Sequence, residues 1–312
     1  MTKTLLMPWP WSEIPEPRPA DWGFGMTVCI ACHCQQENSI VVAADSMLST
    51  GDMSAELGIK MYGIGQKWIT LYAGNDVSVV DPILREVRRQ LSKGGKERTE
   101  DVANSFITAI QAQLIMRAEN EVLLPLGYTM QEFKSSGLTQ LGTENFTRLL
   151  FQVEQQRLDV QFLVAGFDQK AAEIFTVSPP GRVADFTNVG FWAIGSGQTN
   201  ALGSLFNLED PAKYATLPRC VYRVFEAKFN AETAVGVGKG THVAILRADG
   251  TRFTVLAKGH DKVRSAWNKT RARIPPPEGT DAIKEEIDKQ IGELTAAMPP
   301  SPSASQTSTE GA

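Results

Sequence analysis

Apolar residues recur along positions 26–260 in two rhythms, one with a period near two and one with a period near three and a half. Dense β-branched and small apolar runs at 26–34 and at 39–45 (SIVVAAD), joined by a polar turn at 35–38, predict a pair of strands. Residues 60–64 and 68–73 (WITLYA) predict a second pair. Helical spacing follows. Val77, Val80, Ile83, Leu84, Val87 and Leu91 share one face of a first helix. Val102, Phe106, Ile110 and Leu114 share one face of a second, opened by Thr99 with Glu100 and Asp101 in its first turn. Phe146, Leu149, Leu150 and Val153 mark a third amphipathic piece. Strands are predicted again at 160–167 and 171–177, around a tight turn at 168–170, and across about 182–194. Helices near 198–208 and 217–231 precede a last hairpin, 241–247 with 252–257, around Asp249 and Gly250. Strands grouped in this way, with no repeat of 20–50 residues, predict an α+β fold of antiparallel sheets with helices packed outside them.

The two ends differ from this body, which gives a division into 1–25, 26–260 and 261–312. The first segment holds Trp9, Trp11 and Trp22 with Pro8, Pro10, Pro15, Pro17 and Pro19, and prolines so close together block both helix and ladder pairing. It is expected to be an irregular arm, an upstream extension of a chain that starts at Met26, or a segment removed on maturation. Its apolar stretch at 5–7 is broken by proline and followed by Glu13 and Glu16, unlike a signal peptide. In the last segment, prolines at 275–277 precede a predicted helix from Thr280 with Ile283, Ile287, Ile291 and Leu294 on one face. Beyond Pro299 the chain is rich in Ser, Thr and Pro and is expected to be disordered.

Composition narrows the function classes. Lys and Arg number 31 against 35 Asp and Glu, a formal charge of −4, so nothing points to nucleic acid as a partner. No uncharged apolar run approaches the roughly 18 residues of a membrane helix. Four cysteines in 312 residues make no disulfide framework and suit a reducing, cytoplasmic setting.

Two motifs tempt and fail. Cys29, Cys32, His33 and Cys34 resemble a metal cluster, but on a strand Cys32 and Cys34 share one face while Cys29 and His33 take the other. No second Cys/His cluster completes a zinc site, so neither a metal nor another cofactor is expected. The run from Gly236 to Thr241 is only part of a phosphate loop, because Thr233 stands where the first glycine belongs and Gly240 separates Lys239 from Thr241. With His33, His242 and His260 as the only histidines and no G-x-S-x-G, a serine–histidine hydrolase has little support.

A third set of residues coheres. Met26-Thr27-Val-Cys-Ile-Ala, Ile40-Val-Val-Ala-Ala-Asp45-Ser, Lys60-Met-Tyr and Tyr72-Ala-Gly74-Asn follow one another at spacings of 18, 15 and 14 residues between Thr27, Asp45, Lys60 and Gly74. Phe162-Leu-Val-Ala-Gly-Phe-Asp168 and Ala193-Ile-Gly-Ser196-Gly-Gln-Thr-Asn-Ala-Leu-Gly203 come later. In order and approximate spacing, across about residues 26–257, this resembles the β-type subunits of proteasomes, most closely the bacterial proteasome-like proteins of the ancestral-β type. The resemblance implies an N-terminal-nucleophile hydrolase fold, a four-layer αββα sandwich of two antiparallel sheets. It implies Thr27 as nucleophile, Asp45 and Lys60 as the charged pair beside it, Gly74 as oxyanion donor and Ser196 in the supporting network. It also implies a pocket that includes Leu48, Tyr62, Tyr72 and Asp76, peptide or unfolded-protein substrates, and self-association into a ring or helical ring.

The chemistry behind such a set is simple. A threonine hydroxyl needs a base, and a free α-amino group, with a pKa of about 7.7–8.0, can be one. A neighbouring lysine disfavours a second positive charge and keeps that amine neutral. Two departures stand against it. In the given chain 26 residues precede Thr27, so its nitrogen is an amide, and Met26 stands directly before it where self-processing members commonly carry a glycine, with Gly25 one residue further back. The acidic residue and serine that active members carry before the last hairpin are replaced by Ala234 and Val237, with Glu232 or Thr233 as substitutes only after an alignment slip. A non-catalytic oligomer-forming subunit and a small-molecule amidase of the same fold are therefore the alternatives to a threonine peptidase.

Overall fold

The structure is a computed structural model that describes residues 27–50, 53–56, 58–94, 97–206, 216–255 and 257–271. The Trp/Pro arm and the predicted helix from Thr280 lie outside the described residues. The chain divides into two compact units, Met1–Val263 and Arg264–Ala312, and both large sheets belong to the first.

The described elements open with strands β1 (Cys29–Cys34), β2 (Ser39–Asp45), β3 (Met47–Thr50), β4 (Met53–Glu56), β5 (Met61–Ile64) and β6 (Trp68–Ala73). Helices α1 (Val77–Gly94) and α2 (Thr99–Ala118), a π-helical turn and a 3₁₀ turn, and helix α3 (Met130–Glu154) come next. They are followed by β7 (Gln161–Asp168), β8 (Ala171–Ser178), β9 (Arg182–Asp185) and β10 (Phe191–Ile194). Helices α4 (Gln198–Leu205) and α5 (Leu217–Ala231), strands β11 (Thr241–Arg247) and β12 (Arg252–Thr254), and helix α6 (Ala257–Arg271) complete the set. One sheet has the order β10-β1-β2-β11-β12 and the other β5-β6-β7-β8-β9, with β3 and β4 as a separate hairpin. Every pairing is antiparallel.

Alternation along the strands explains the packing. Cys29, Ala31, Ile40, Val42 and Ala44 from the first sheet meet Ile69, Leu71, Leu163 and Ala165 from the second, which forms the core between them. The other face of the second sheet, through Trp68, Phe162, Val164 and Phe175, takes the apolar stripes of α1 and α2. Each such fully buried side chain contributes on the order of 1.5–3 kcal/mol relative to exposure. On the far face of the first sheet, Cys32 meets Cys220 of α5 with sulfurs 3.6 Å apart, so Cys32 and Cys29 do face opposite ways. Among the described residues no helix is long and apolar enough to cross a membrane.

Three expectations change, and one element was not expected. The single run at 182–194 is two strands, β9 in the second sheet and β10 in the first, joined by a turn through Gly190 at φ +82°. Period-two apolarity continues across that turn, and Phe186 and Trp192 on either side of it stack with centroids 3.7 Å apart, so the pattern alone hides the break. Helix α3 starts at Met130, sixteen residues before the predicted amphipathic piece. Its first half buries Met130 and Phe133, a capping box of Thr129 and Glu132 marks its start in the sequence, and a non-helical Gly142 at φ +73° separates it from the predicted piece. The last strand ends at Thr254, and 257 opens helix α6, which has few apolar positions to announce it. The β3–β4 hairpin has no prediction at all.

Candidate active site

Strand ends from both large sheets converge on Thr27. Pairing of Cys29 with Ala44 brings the start of β1 beside the end of β2, and the Asp45 N–H donates to the Val28 carbonyl at 3.2 Å. Thr241, the first residue of β11, pairs with Asp45 on the other side. Lys60 immediately precedes β5 in the second sheet and reaches across to the same point.

Thr27, Asp45 and Lys60 form one buried contact set, with exposures of 2%, 0% and 3%. The Thr27 hydroxyl donates to Asp45 Oδ1 and accepts from Lys60 Nζ. Lys60 Nζ also lies 3.0 Å from Asp45 Oδ1, a buried ion pair. Asp45 collects backbone donors as well: Val28 N–H at 3.1 Å on Oδ1, and Met47 N–H at 3.2 Å and Gly238 N–H at 3.0 Å on Oδ2. Five donors suit an ionised carboxylate, which only accepts. A single hydroxyl thus sits between a cation and an anion, both held by surroundings that exclude water.

The nitrogen of Thr27 has its own cradle. It donates to Ser196 Oγ at 3.2 Å, and Ser196 Oγ lies 3.3 Å from the Thr27 carbonyl and 3.1 Å from the Val235 carbonyl. The Gly197 N–H donates to the same Thr27 carbonyl at 3.1 Å. Glycine is required just before Ser196, since Gly195 has φ +93° and a Cβ there would lie 2.4 Å from the Thr27 oxygen.

Gly74 directly follows β6, and the Cys29 thiol reaches the Tyr72 carbonyl at 3.2 Å, so that strand end abuts the start of β1. Its φ is +136°, and a Cβ would lie 2.1 Å from the Asp159 carbonyl. Tyr72 is buried and its ring centroid is 6.2 Å from that of Tyr62. Burial pushes the Tyr72 phenol up, and it pushes the Cys29 thiol up to about 12 even with Lys60 close by. Leu48 lies in β3, its side chain outside the described residues.

Asp76 is committed elsewhere. Arg117 binds it through both guanidinium NH₂ groups at 2.9 Å, and the Asp159 N–H adds a bond at 2.7 Å. Burial alone would raise its carboxyl, but these donors outweigh it and the net shift is downward. A basic substrate group would have to compete with Arg117 for this carboxylate.

Near the last hairpin, Ala234 and Val237 are backbone-supported, and neither Glu232 nor Thr233 is bonded to Thr27. Glu232 pairs with Lys228, while Thr233 accepts from Asn200 and donates to the Asn230 carbonyl. The groups that do reach the site from this loop are the Gly238 N–H and the Val235 carbonyl. Sequence reasoning missed both, together with Val28 and Met47, because a main-chain donor leaves no residue-type signature. Lys228 had a signal: a lysine on the apolar face of α5, beside Val224, Phe225 and Ala231. Among the described residues no group of three or more His, Cys, Asp or Glu is arranged to hold a metal ion.

The chain matches no protein-family model, and no curated protein matches it.

Proposed function

We propose that this chain is a threonine-type peptide hydrolase of the proteasome-like kind, with an N-terminal-nucleophile hydrolase fold and Thr27 as its nucleophile once the preceding residues are removed. The observation that carries the reading is the buried Thr27–Asp45–Lys60 contact set, with Ser196 Oγ 3.2 Å from the nitrogen that cleavage would free. The two stacked sheets, with helices on their outer faces, support the fold.

In the mechanism, the free Thr27 amine takes the hydroxyl proton, directly or through one water, as Oγ1 attacks a peptide carbonyl. Lys60, beside Oγ1, stabilises the developing alkoxide and disfavours protonation of the amine in the resting state. Asp45 keeps that lysine charged and aimed. The Gly74 N–H serves the oxyanion. Collapse of the tetrahedral adduct breaks the C–N bond, and the amine returns its proton to the leaving nitrogen. Water then hydrolyses the Thr27 ester by the same route in reverse. Leu48, Tyr62 and Tyr72 would border the first specificity pocket, and self-association into a ring or helical ring in the cytoplasm would confine peptide or unfolded-protein substrates.

The test is intact mass and N-terminal sequence of protein from its native host, followed by exposure to a peptide epoxyketone. That reagent needs both the amine and the hydroxyl of a terminal threonine. A chain beginning at Thr27, with one adduct that Thr27→Ala abolishes, is the expected result. A chain that keeps an amide at Thr27 and takes no adduct would favour a non-catalytic assembly subunit. Turnover of small amides but not peptides would favour an amidase.

A further inference from the structure

Helix α5 buries Val224, Phe225, Ala227, Phe229 and Ala231, and in the midst of them Lys228, at 0% exposure. A buried ammonium costs several kcal/mol unless it is paired and hydrogen-bonded. Among its partners are the Glu232 carboxylate one turn on, the Gly238 carbonyl at 2.7 Å and the Lys239 carbonyl at 3.1 Å. The two carbonyls belong to the loop between α5 and β11, not to the helix.

That loop touches the Thr27 site at two points. The Gly238 N–H donates to Asp45 Oδ2 at 3.0 Å, and the Val235 carbonyl accepts from Ser196. Gly238 is therefore gripped at both ends of one residue, its carbonyl by a buried cation and its N–H by a buried anion. Bonds to charged groups are worth about 1.5–3 kcal/mol each, against about 1 for neutral ones. Without the cation, the Gly238 N–H would be held by Asp45 alone, and the carboxylate would lose a donor that is anchored from outside the site.

We infer that Lys228 is a positioning residue for the reacting centre: it holds Gly238, which holds Asp45 Oδ2, and so sets the carboxylate that Thr27 and Lys60 share. This inference rests on the hydrolase reading for its catalytic consequence, though the grip itself does not. Lys228 touches none of the reacting atoms. Its effect is on how Asp45 is oriented, so the bond-making step should suffer more than the binding of a substrate.

The experiment compares the full processed chain with Lys228→Met and with Lys228→Met, Glu232→Leu. The double variant replaces the ion pair by apolar groups, a change that is often neutral for folding, so it keeps the test open where the single variant unfolds. Hydrogen exchange read at the Gly238 amide and the kinetics of epoxyketone labelling at Thr27 are both measured. In a cooperatively folded double variant, Gly238 protection is expected to drop by about tenfold or more. The maximal labelling rate should fall by about tenfold to a hundredfold with half-saturation unchanged. A folded variant with Gly238 as protected as in the parent, or with an unchanged labelling rate, overturns the inference. If the parent itself takes no label, the peptidase reading fails, while exchange at Gly238 still decides whether Lys228 grips the loop.

Discussion

Asp45→Asn isolates the charge at the centre of the site with almost no change in shape. Asp45 is fully buried and receives the Thr27 hydroxyl, Lys60 Nζ and the Val28 N–H at Oδ1, and the Met47 and Gly238 N–H groups at Oδ2. An asparagine has one accepting oxygen and one NH₂ group, so whichever way it lies, one of these two donor sets faces other donors. The smaller loss is at Oδ2, where two bonds to a charged acceptor, at about 1.5–3 kcal/mol each, give about 3–6 kcal/mol. Lys60, 3% exposed, is left without its counter-charge, and breaking a buried pair in this way costs about 3–5 kcal/mol by itself. The two estimates overlap, so a destabilisation of about 4 kcal/mol is expected, a large part of the 5–15 kcal/mol that holds an ordinary domain. Equilibrium urea unfolding of the parent, Asp45→Asn, Lys60→Met and the double variant measures it. The double variant should be more stable than additivity predicts, by about 2 kcal/mol or more, because each single change strands the other's charge. A loss under about 1 kcal/mol for Asp45→Asn, or additivity within about 0.5 kcal/mol, would refute the buried-pair reasoning.

Three further outcomes follow from the geometry. Gly74→Ala would put a Cβ 2.1 Å from the Asp159 carbonyl at a φ of +136°, so a melting scan should show a clearly lower Tm, and an unchanged Tm would mean that the loop is not built this way. The Cys29 thiol, pushed up to about 12 by burial, should resist iodoacetamide at pH 8 in the native protein and react in urea; peptide mass spectrometry reads both states. Burial lowers the proton affinity of His260 below its ordinary 6.5, and its Nε2 has no hydrogen-bond partner among the described residues. The unfolded chain then binds that proton more readily. This contribution is complete above pH 6.5 and is lost as the pH falls toward the folded value, so His260→Phe should flatten the stability loss below pH 6.5. Parallel pH profiles for the two proteins would refute it.

The strands were legible because their ends are sharp. The apolar run of β2 stops at Asp45 and that of β6 at Gly74, and the structure ends both strands at or beside those residues. Once the sheets form, an antiparallel turn returns Asp45 to Val28, and the order Thr27, Asp45, Lys60 becomes a contact set in space. The parts that were not legible share a different physical character. The first half of α3 did carry signals, Met130, Phe133 and Leu141 at helical spacing and the Thr129–Glu132 cap, but they are few, and the non-helical Gly142 separates them from the denser stripe at 146–153. The sheet change between β9 and β10 turns on the left-handed backbone of Gly190, not on any change in apolar spacing. Asp76, named among the pocket residues, meets Arg117 forty-one residues further on, a pairing with no local trace.

The same distinction bears on Ala234 and Val237. At those positions the absence of an acid and a hydroxyl counted against a working charge network around the threonine. Yet the side chains of this loop are not what reaches the site. Its contributions are main-chain ones, the Gly238 N–H on Asp45 and the Val235 carbonyl on Ser196. The charge that backs them is displaced by several residues, to Lys228 and Glu232 on and beside α5. Val237 instead packs under the turn that cradles Thr27, since a Cβ at Gly197 would lie 3.0 Å from its methyl. An apolar residue there packs against that turn, and the residue next to it supplies the donor from its main chain. The side-chain inventory of a loop therefore underestimates what it brings to a buried carboxylate, and the weight that the two substitutions carry against catalysis falls on Lys228, whose removal can be measured.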